Sequence, residues 1–373
     1  MKPYFNQRGA KMLHRFSGVG IAGAGHTPIE GQGFRLVSNA EFIRSLTGPA
    51  HSELFGHMQG TEEQITTLSA KWENKRPGIT KRCVTSLTGL EMAEIAAKMA
   101  LEQAGLTGSQ LDAIIFTSST ADRVFPKNSC ALEEKLGTLT TCLGIDTSGS
   151  CADGVISLVQ GASLVASGLC RHVLCVSSER ATRIVERGNW EGGNLFGDGC
   201  GTVVLEARND REFWIRTADD PYDGKLGLIT QDLSKTGGPY VPPWGSGSQP
   251  EHRVGPFRQN GGEVHDWAGR DVVTAAVEFI EALPVSPADI RLVIPHQAST
   301  TTLDHMKKYL LKRLPQLEGK IFRHVSWRGN TSSASTLISL SEAIAAGLLK
   351  TGDWFVSLAF GAGLQMAFCA TQV

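Results

Sequence analysis

The sequence predicts an α/β protein made of two similar halves, and three observations carry that prediction. Helical periods alternate with short, continuously apolar strands. The same helix-and-strand units recur in the same order in both halves of the chain. Glycine is in marked excess, 42 of 373 residues against a usual share of roughly 7%, with no collagen period, so the chain makes many tight turns and close backbone approaches.

The elements follow in order. Thr88-Gly-Leu-Glu91 has the spacing of a capping box, and Met92, Ile95, Ala96, Met99 and Ala100 recur at helical intervals until Gly105 ends them. Asp112-Ala-Ile-Ile-Phe-Thr-Ser118 reads as a strand buried on both faces. A helix over about 152–168 is apolar or small all round and is expected to be wholly buried. It leads into a strand at Val173-Leu-Cys-Val-Ser177. Units of this kind imply sheets covered by helices on both faces. The order from Glu102 to Ser118 (helix end, turn, strand) returns from Glu278 to Pro295, closing on Leu292-Val-Ile-Pro295. Ile156-Ser-Leu, which opens a helix leading to the strand at Val173, is matched by Ile338-Ser-Leu and the strand Trp354-Phe-Val-Ser-Leu358. These matches suggest duplication, with a junction near 206–212. The expected organisation is an N-terminal extension over 1–16, a first half over 17–208 carrying an insert at about 40–71, and a second half over 209–373.

Composition excludes several classes of function. Basic and acidic side chains number 36 and 37, a formal net charge of −1, which argues against a broad nucleic-acid-binding face. No stretch reaches 18 uninterrupted apolar residues, so no membrane span is expected. The eight cysteines include no C-x-x-C pair, and several lie in apolar runs, which argues against a zinc ribbon, a thioredoxin-type site or a disulfide framework. Residues 1–16 hold Lys2, Arg8, Lys11, His14 and Arg15 and no acid. They read as an extension, with a transit peptide as the alternative. The chain is read as a soluble, cytoplasmic protein.

The duplication also places chemistry. Cys151 follows the small elbow Thr147-Ser-Gly-Ser150 at the start of a buried helix, and the shared Ile-Ser-Leu register puts Asn330-Thr-Ser-Ser333 at the start of the twin helix. His296 follows the strand Leu292–Pro295. All three fall where α/β sheets place their ligand sites, and pseudo-symmetry brings Cys151 to face His296 and Asn330. The positive end of the helix favours a thiolate at Cys151, while Asp153 in the first turn opposes it. Each residue also has a plain reading as a packing cysteine, a satisfied histidine or a turn asparagine.

Cys151, Ile294-Pro-His-Gln-Ala298 and Gly329-Asn-Thr-Ser-Ser-Ala-Ser335 resemble the Cys, His and Asn motifs of the β-ketoacyl-(acyl carrier protein) synthase III family, within the thiolase superfamily. Arg76-Pro-Gly-Ile79, Leu195-Phe-Gly-Asp-Gly-Cys-Gly201 and Phe360-Gly-Ala-Gly363 resemble further family motifs, and the likeness covers nearly the whole chain. It implies a duplicated thiolase-like fold, two pseudo-symmetric βαβ halves layered α-β-α-β-α. It implies that Cys151 takes an acyl group from a thioester, with the backbone N–H groups of Cys151 and Ala362 as the oxyanion hole. His296 and Asn330 then bind the carbonyl of a malonyl-type or β-ketoacyl thioester for Claisen carbon–carbon bond formation. Trp72, Arg76 and Phe196 are assigned to substrate or coenzyme A binding. The resemblance further implies acyl-CoA or acyl carrier protein thioesters as substrates and partners, a homodimer, no metal and no other cofactor.

Departures from the family pattern are informative too. Asp153 stands close behind the nucleophile, Ser299-Thr300-Thr301 replaces the family's usual residues after the His motif, and the insert carries His51 and His57. The main competing reading is transfer of the acyl group from Cys151 to an alcohol or amine, chemistry for which relatives often replace the Asn with an acid. Condensation of two long β-ketoacyl thioesters, a Cys-His-Asn hydrolase and an inactive partner subunit are further readings. The retained Cys151 argues against the last.

Overall fold

A computed structural model of the chain describes residues 13–46, 60–74, 78–184, 193–219, 229–231 and 257–373. Strand β1 (His14–His26) precedes β2 (Phe34–Ser38) and α1 (Asn39–Ser45), which a Ser38–Glu41 capping box opens. Next come α2 (Glu62–Asn74), β3 (Lys81–Thr85) and α3 (Gly89–Ala104). The expected Thr88–Glu91 box starts α3 and Gly105, at φ 67°, ends it. Then follow β4 (Ala113–Thr117), α4 (Asn128–Leu136), β5 (Leu143–Thr147), α5 (Asp153–Ala166), β6 (His172–Arg180) and the long β7 (Asp198–Asp219). The short pair β8 (Ile229–Gln231) and β9 (Phe257–Gln259) leads to α6 (Gly261–Trp267), a π-helical turn at Ala268–Val272, and α7 (Val273–Glu281). The chain finishes with β10 (Ile290–Pro295), α8 (Thr300–Arg313), the single turn α9 (Val325–Arg328), α10 (Ala334–Ala345), β11 (Trp354–Gly361) and β12 (Gln365–Gln372).

Pairing shows the duplication directly. In the first half β4 runs parallel to β6, β6 antiparallel to β7, and β7 antiparallel to β1. In the second, β10 runs parallel to β11, β11 antiparallel to β12, and β12 antiparallel to the last stretch of β7. Each leading strand has a further parallel neighbour, β5 beside β4 and a bridge at Ile321 beside Val293 of β10. Strand β7 takes part in both sets: Asp198–Glu206 pairs with β6, and Trp214–Asp219 pairs with β12.

Side-chain alternation divides the strands into layers. Ala113, Ile115, Val173, Cys175, Phe355, Ala359, Ala367 and Cys369 point inward, onto α5 and α10. On the opposite face of the first half, Ile114, Phe116, Leu174 and Val176 pack under α3 and α4. On that of the second, Val356, Leu358, Phe360 and Phe368 pack under α6, α7 and α8. The order is therefore helix, sheet, helix, sheet, helix, with α5 and α10 in the middle. Cys175, Cys200 and Cys369 are buried packing residues.

One boundary shifts. The residues from His14 to Phe16, placed in the extension, already form β1, because their backbone pairs with Phe213–Ile215 and Arg15 meets Glu212 at 2.9 Å. Of the insert, α1 and the first part of α2 are described, whereas His51 and His57 lie outside the described residues. Among the described residues no helix is long and apolar enough to cross a membrane.

Candidate active site

The site forms where the N-termini of the two central helices meet. Gly154 of α5 lies so close to the Ser333 carbonyl that a Cβ there would come within 2.2 Å of its oxygen. No larger residue permits this crossing. The contact brings Cys151, just ahead of α5, to the residues just ahead of α10, and its Sγ lies 3.6 Å from Ser332 Oγ. From a third side comes the turn after β11. A Cβ on Gly361 would lie 2.5 Å from Ser150 Oγ and 2.8 Å from the Cys151 nitrogen, so the Gly361-Ala362 turn presses on Cys151. Ala362 itself is partly exposed.

The surroundings of Cys151 are acidic. Burial pushes its thiol up to about 12; the Ser332 hydroxyl opposes this, while the Glu179 and Asp153 carboxylates add to it. Asp153 is itself raised to about 6, chiefly by burial. Its carboxylate lies against Gly149, and Thr117 Oγ1 donates to it at 3.4 Å. Glu179, fully buried at the end of β6, accepts from the Ser119 backbone at 3.1 Å and hydroxyl at 2.9 Å, from Thr120 Oγ1 at 2.7 Å, and from the Ser333 hydroxyl. The helix end does not leave a resting thiolate, because burial and the two acids outweigh it.

His296 and Asn330 are buried and polarised alike. Burial lowers His296 to about 3, so its ring is neutral. Ser335 Oγ accepts the Gln297 backbone N–H at 3.3 Å and lies 2.7 Å from His296 Nδ1. The hydroxyl proton is therefore assigned to Nδ1, which leaves Nε2 carrying the ring N–H. In Asn330, Oδ1 accepts the Ser332 backbone N–H at 2.8 Å, which turns the amide Nδ2 the other way. Each side chain thus has its acceptor tied back, which leaves the His296 Nε2–H and the Asn330 amide N–H as donors, the arrangement a carbonyl oxygen gaining negative charge requires. Phe360 connects the two sides, edge-on to His296 at 5.2 Å and next in sequence to Gly361.

The model of the 3-oxoacyl-[acyl-carrier-protein] synthase III C-terminal domain matches residues 280–373, and that of the family's preceding domain matches residues 145–219. The β-ketoacyl-[acyl-carrier-protein] synthase III of Caldanaerobacter subterraneus is 33% identical over 310 residues, which cover 82% of this chain and 90% of that protein. The chain belongs to the synthase III family. A synthase III of Bacillus pumilus is 31% identical, with 83% of this chain and 92% of that one covered. Among solved structures, the synthase III of Aquifex aeolicus superposes with a TM-score of 0.77 at 26% identity, covering 95% and 100% of the two chains. The priming β-ketosynthase of the R1128 polyketide pathway gives 0.77 at 28% identity, covering 95% and 96%.

Beyond the expected catalytic residues, several others hold the site. The motif loop Leu195–Gly201 braces Asn330 from behind: the Asn330 N–H donates to the Leu195 carbonyl at 2.9 Å, and the Gly197 N–H to the Asn330 carbonyl at 3.0 Å. Asp198, fully buried, pins that loop by accepting from the Thr85 and Thr182 backbones at 3.1 and 3.0 Å. Ser332 has a left-handed backbone, φ 51°, a strained conformation for a residue with a side chain. The Asn330 bond and the crossing at Gly154 hold it there. Ser335 lay within a quoted motif, and Glu179 closes an apolar strand, an unusual place for an acid. Their partners lie 39 and 154 residues away, so nothing local in the sequence reveals the pairing.

The residues expected to bind substrate are placed less favourably. Trp72, assigned to substrate or coenzyme A binding, is 3% exposed and packs on Phe42 with ring centroids 6.1 Å apart, in a cluster with Val37, Ile43 and Ile65. Its ring faces α1 and offers no open face for an adenine. Phe196 is also 3% exposed and lies edge-on to Phe257 at 4.9 Å. Its backbone bridges to Asn330, which makes it part of the wall behind the site. Arg76 lies outside the described residues.

Proposed function

We propose that the protein joins two acyl thioesters by Claisen condensation, with Cys151, His296 and Asn330 as its catalytic residues. The Cys151 sulfur attacks the carbonyl carbon of an acyl thioester, the carbon–sulfur bond to the carrier thiol breaks, and the Cys151 proton leaves with that thiol. The backbone N–H groups of Cys151 and Ala362 receive the oxyanion. A malonyl-type thioester then binds with its carbonyl oxygen on His296 Nε2 and Asn330 Nδ2. Loss of CO2 leaves the electron pair on the α-carbon, with charge on that oxygen. The α-carbon attacks the acyl carbon, and the Cys151 sulfur leaves and regains a proton.

The observation that carries this reading is that Cys151 meets Ser332 on the same short stretch whose Asn330 and Ser335 hold the two acceptor atoms tied back. A carboxylate in place of Asn330 would repel the enolate oxygen, and for that reason condensation is favoured over transfer to an alcohol or amine. Acyl carrier protein is a proposed carrier, as the names of the relatives suggest, and coenzyme A is proposed beside it. A homodimer is proposed on different grounds. Strand β5 lies at the end of the sheet order, and beside it the loop residues Val124 and Phe125 are each 84% exposed, an apolar edge that a second copy would cover. Light scattering at twice 40.0 kDa checks this. The fold supports a division between halves near 208, where β7 passes from β6 to β12. Incubation with a mixture of acyl-CoAs and malonyl-CoA or malonyl carrier protein, followed by product mass, tests the function. A β-ketoacyl product is expected; an acyl ester, an acyl amide or free acid alone would contradict it.

A further inference from the structure

Behind His296 and Asn330 lies a buried charge cluster that the proposed chemistry does not touch. Glu342, on α10, accepts at Oε1 from Arg328 Nε at 3.0 Å and Nη2 at 2.6 Å. Its Oε2 accepts from His324 Nδ1 at 2.7 Å. Arg328 and His324 are 1% and 0% exposed, and they bracket the single turn α9. The carboxylate is ionised, because His324 and Arg328 together overcome the opposing effect of burial. Burial pulls the His324 imidazole below its ordinary value, against the upward pull of Glu342.

What this cluster holds is specific. Arg328 lies two residues before Asn330 and also donates from Nη2 to the Thr27 carbonyl at 3.1 Å. The backbone N–H groups of His324 and Val325 donate to Gln297 Oε1 at 2.9 and 3.2 Å. Gln297 is the neighbour of His296, and its Nε2 donates to the Pro295 carbonyl at 2.8 Å. One carboxylate therefore ties the segment entering Asn330, through Arg328, to the segment carrying His296, through His324 and Gln297.

We propose that Glu342 is a positioning residue that sets the spacing of the two carbonyl-binding donors, so that one thioester oxygen meets both. The inference rests on the condensation reading above. Acyl loading of Cys151 uses neither donor. An error in their spacing is therefore silent in loading and strong in condensation, where a misplacement of about 1 Å costs on the order of a hundredfold. A purely structural ion pair would instead weaken both half-reactions together.

The test measures both half-reactions in Glu342→Gln, which keeps the shape but cannot accept from both partners as an anion. Loading, read by intact mass after acyl-CoA, should stay within about twofold of wild type, and condensation kcat should fall roughly 10- to 100-fold, with a smaller change in KM for the malonyl donor. His324→Asn, whose amide N–H stands near the place of Nδ1–H, should restore most of the condensation that His324→Ala loses. Condensation by Glu342→Gln at the wild-type rate, or a parallel fall of loading and condensation, overturns the proposal. If Glu342→Gln shows no cooperative melting, Arg328→Lys replaces it, with the same split expected and the same outcomes decisive. A wild-type protein that loads but never condenses overturns the functional reading itself. A wild type that condenses beside an equally active Glu342→Gln overturns only the positioning role.

Discussion

The starts of α5 and α10 occupy equivalent places in the two halves, yet their surroundings differ in charge. Ahead of α5, Cys151 stands near Asp153 and Glu179, two buried acids with no ion-pair partner among the described residues. Ahead of α10, Asn330 is reached by a segment that Arg328 anchors to Glu342, and its own amide and the neighbouring His296 ring are neutral donors. Duplication explains why both places are sites at all, since each is a helix start at the end of a sheet. The difference between them fits the proposed division of labour. The acidic side suits a thiol that stays protonated until it attacks, and the donor side suits an oxygen that becomes negative.

The largest expected effect is the plainest way to break this comparison. Cys151→Ala should abolish the acyl adduct seen by intact mass after incubation with acyl-CoA. Equal labelling of variant and wild type would show that another of the eight cysteines is the nucleophile. Next in size, His296→Ala should lower condensation by about 10²- to 10³-fold, the usual loss for one donor to a developing oxyanion, and leave loading within a few-fold. A comparable drop in loading would mean that His296 serves the thiol as well.

Asp153 sharpens the acidic side through pH. Its folded value of about 6, against an ordinary 3.8, means that ionising it opposes folding. That cost is absent below about pH 4, grows as pH rises toward 6, and is constant above, reaching roughly 3 kcal/mol at most. Asp153→Asn should therefore melt higher than wild type at pH 7 and lose that advantage at pH 4. Without the charge the Cys151 thiol should ionise more readily, so loading at pH 7 should rise several-fold, and the two proteins should converge near pH 5 where Asp153 is protonated. A pH-independent difference would place the effect in packing.

How much of this was legible in the sequence depends on how local each signal is. The positions of Cys151, His296 and Asn330 at the ends of elements were readable because each follows or precedes an element whose period is plain, and because Ile156 and Ile338 set the two helices in register. The cap at Thr88–Glu91 and the stop at Gly105 were readable for the same reason. Trp72 was misjudged because an amphipathic helix shows which side chains are apolar but not that α1 would fold over them. The tie-backs by Ser332 and Ser335, and the anchors Glu179 and Glu342, escaped because hydrogen-bond partners brought together by the fold leave no spacing to detect. Glu342 sits among the small residues of α10, where an acid within a buried helix is the only hint.

The most direct test of the account uses Asn330→Asp loaded with an acyl group and then given a malonyl thioester. The time course of the Cys151 adduct is followed by intact mass, beside that of wild type. The account predicts normal formation of the adduct and its persistence in the variant, while wild type consumes it into a β-ketoacyl product. An adduct that forms poorly in Asn330→Asp, or one consumed at the wild-type rate, would contradict the separation of a nucleophile side from a carbonyl-binding side.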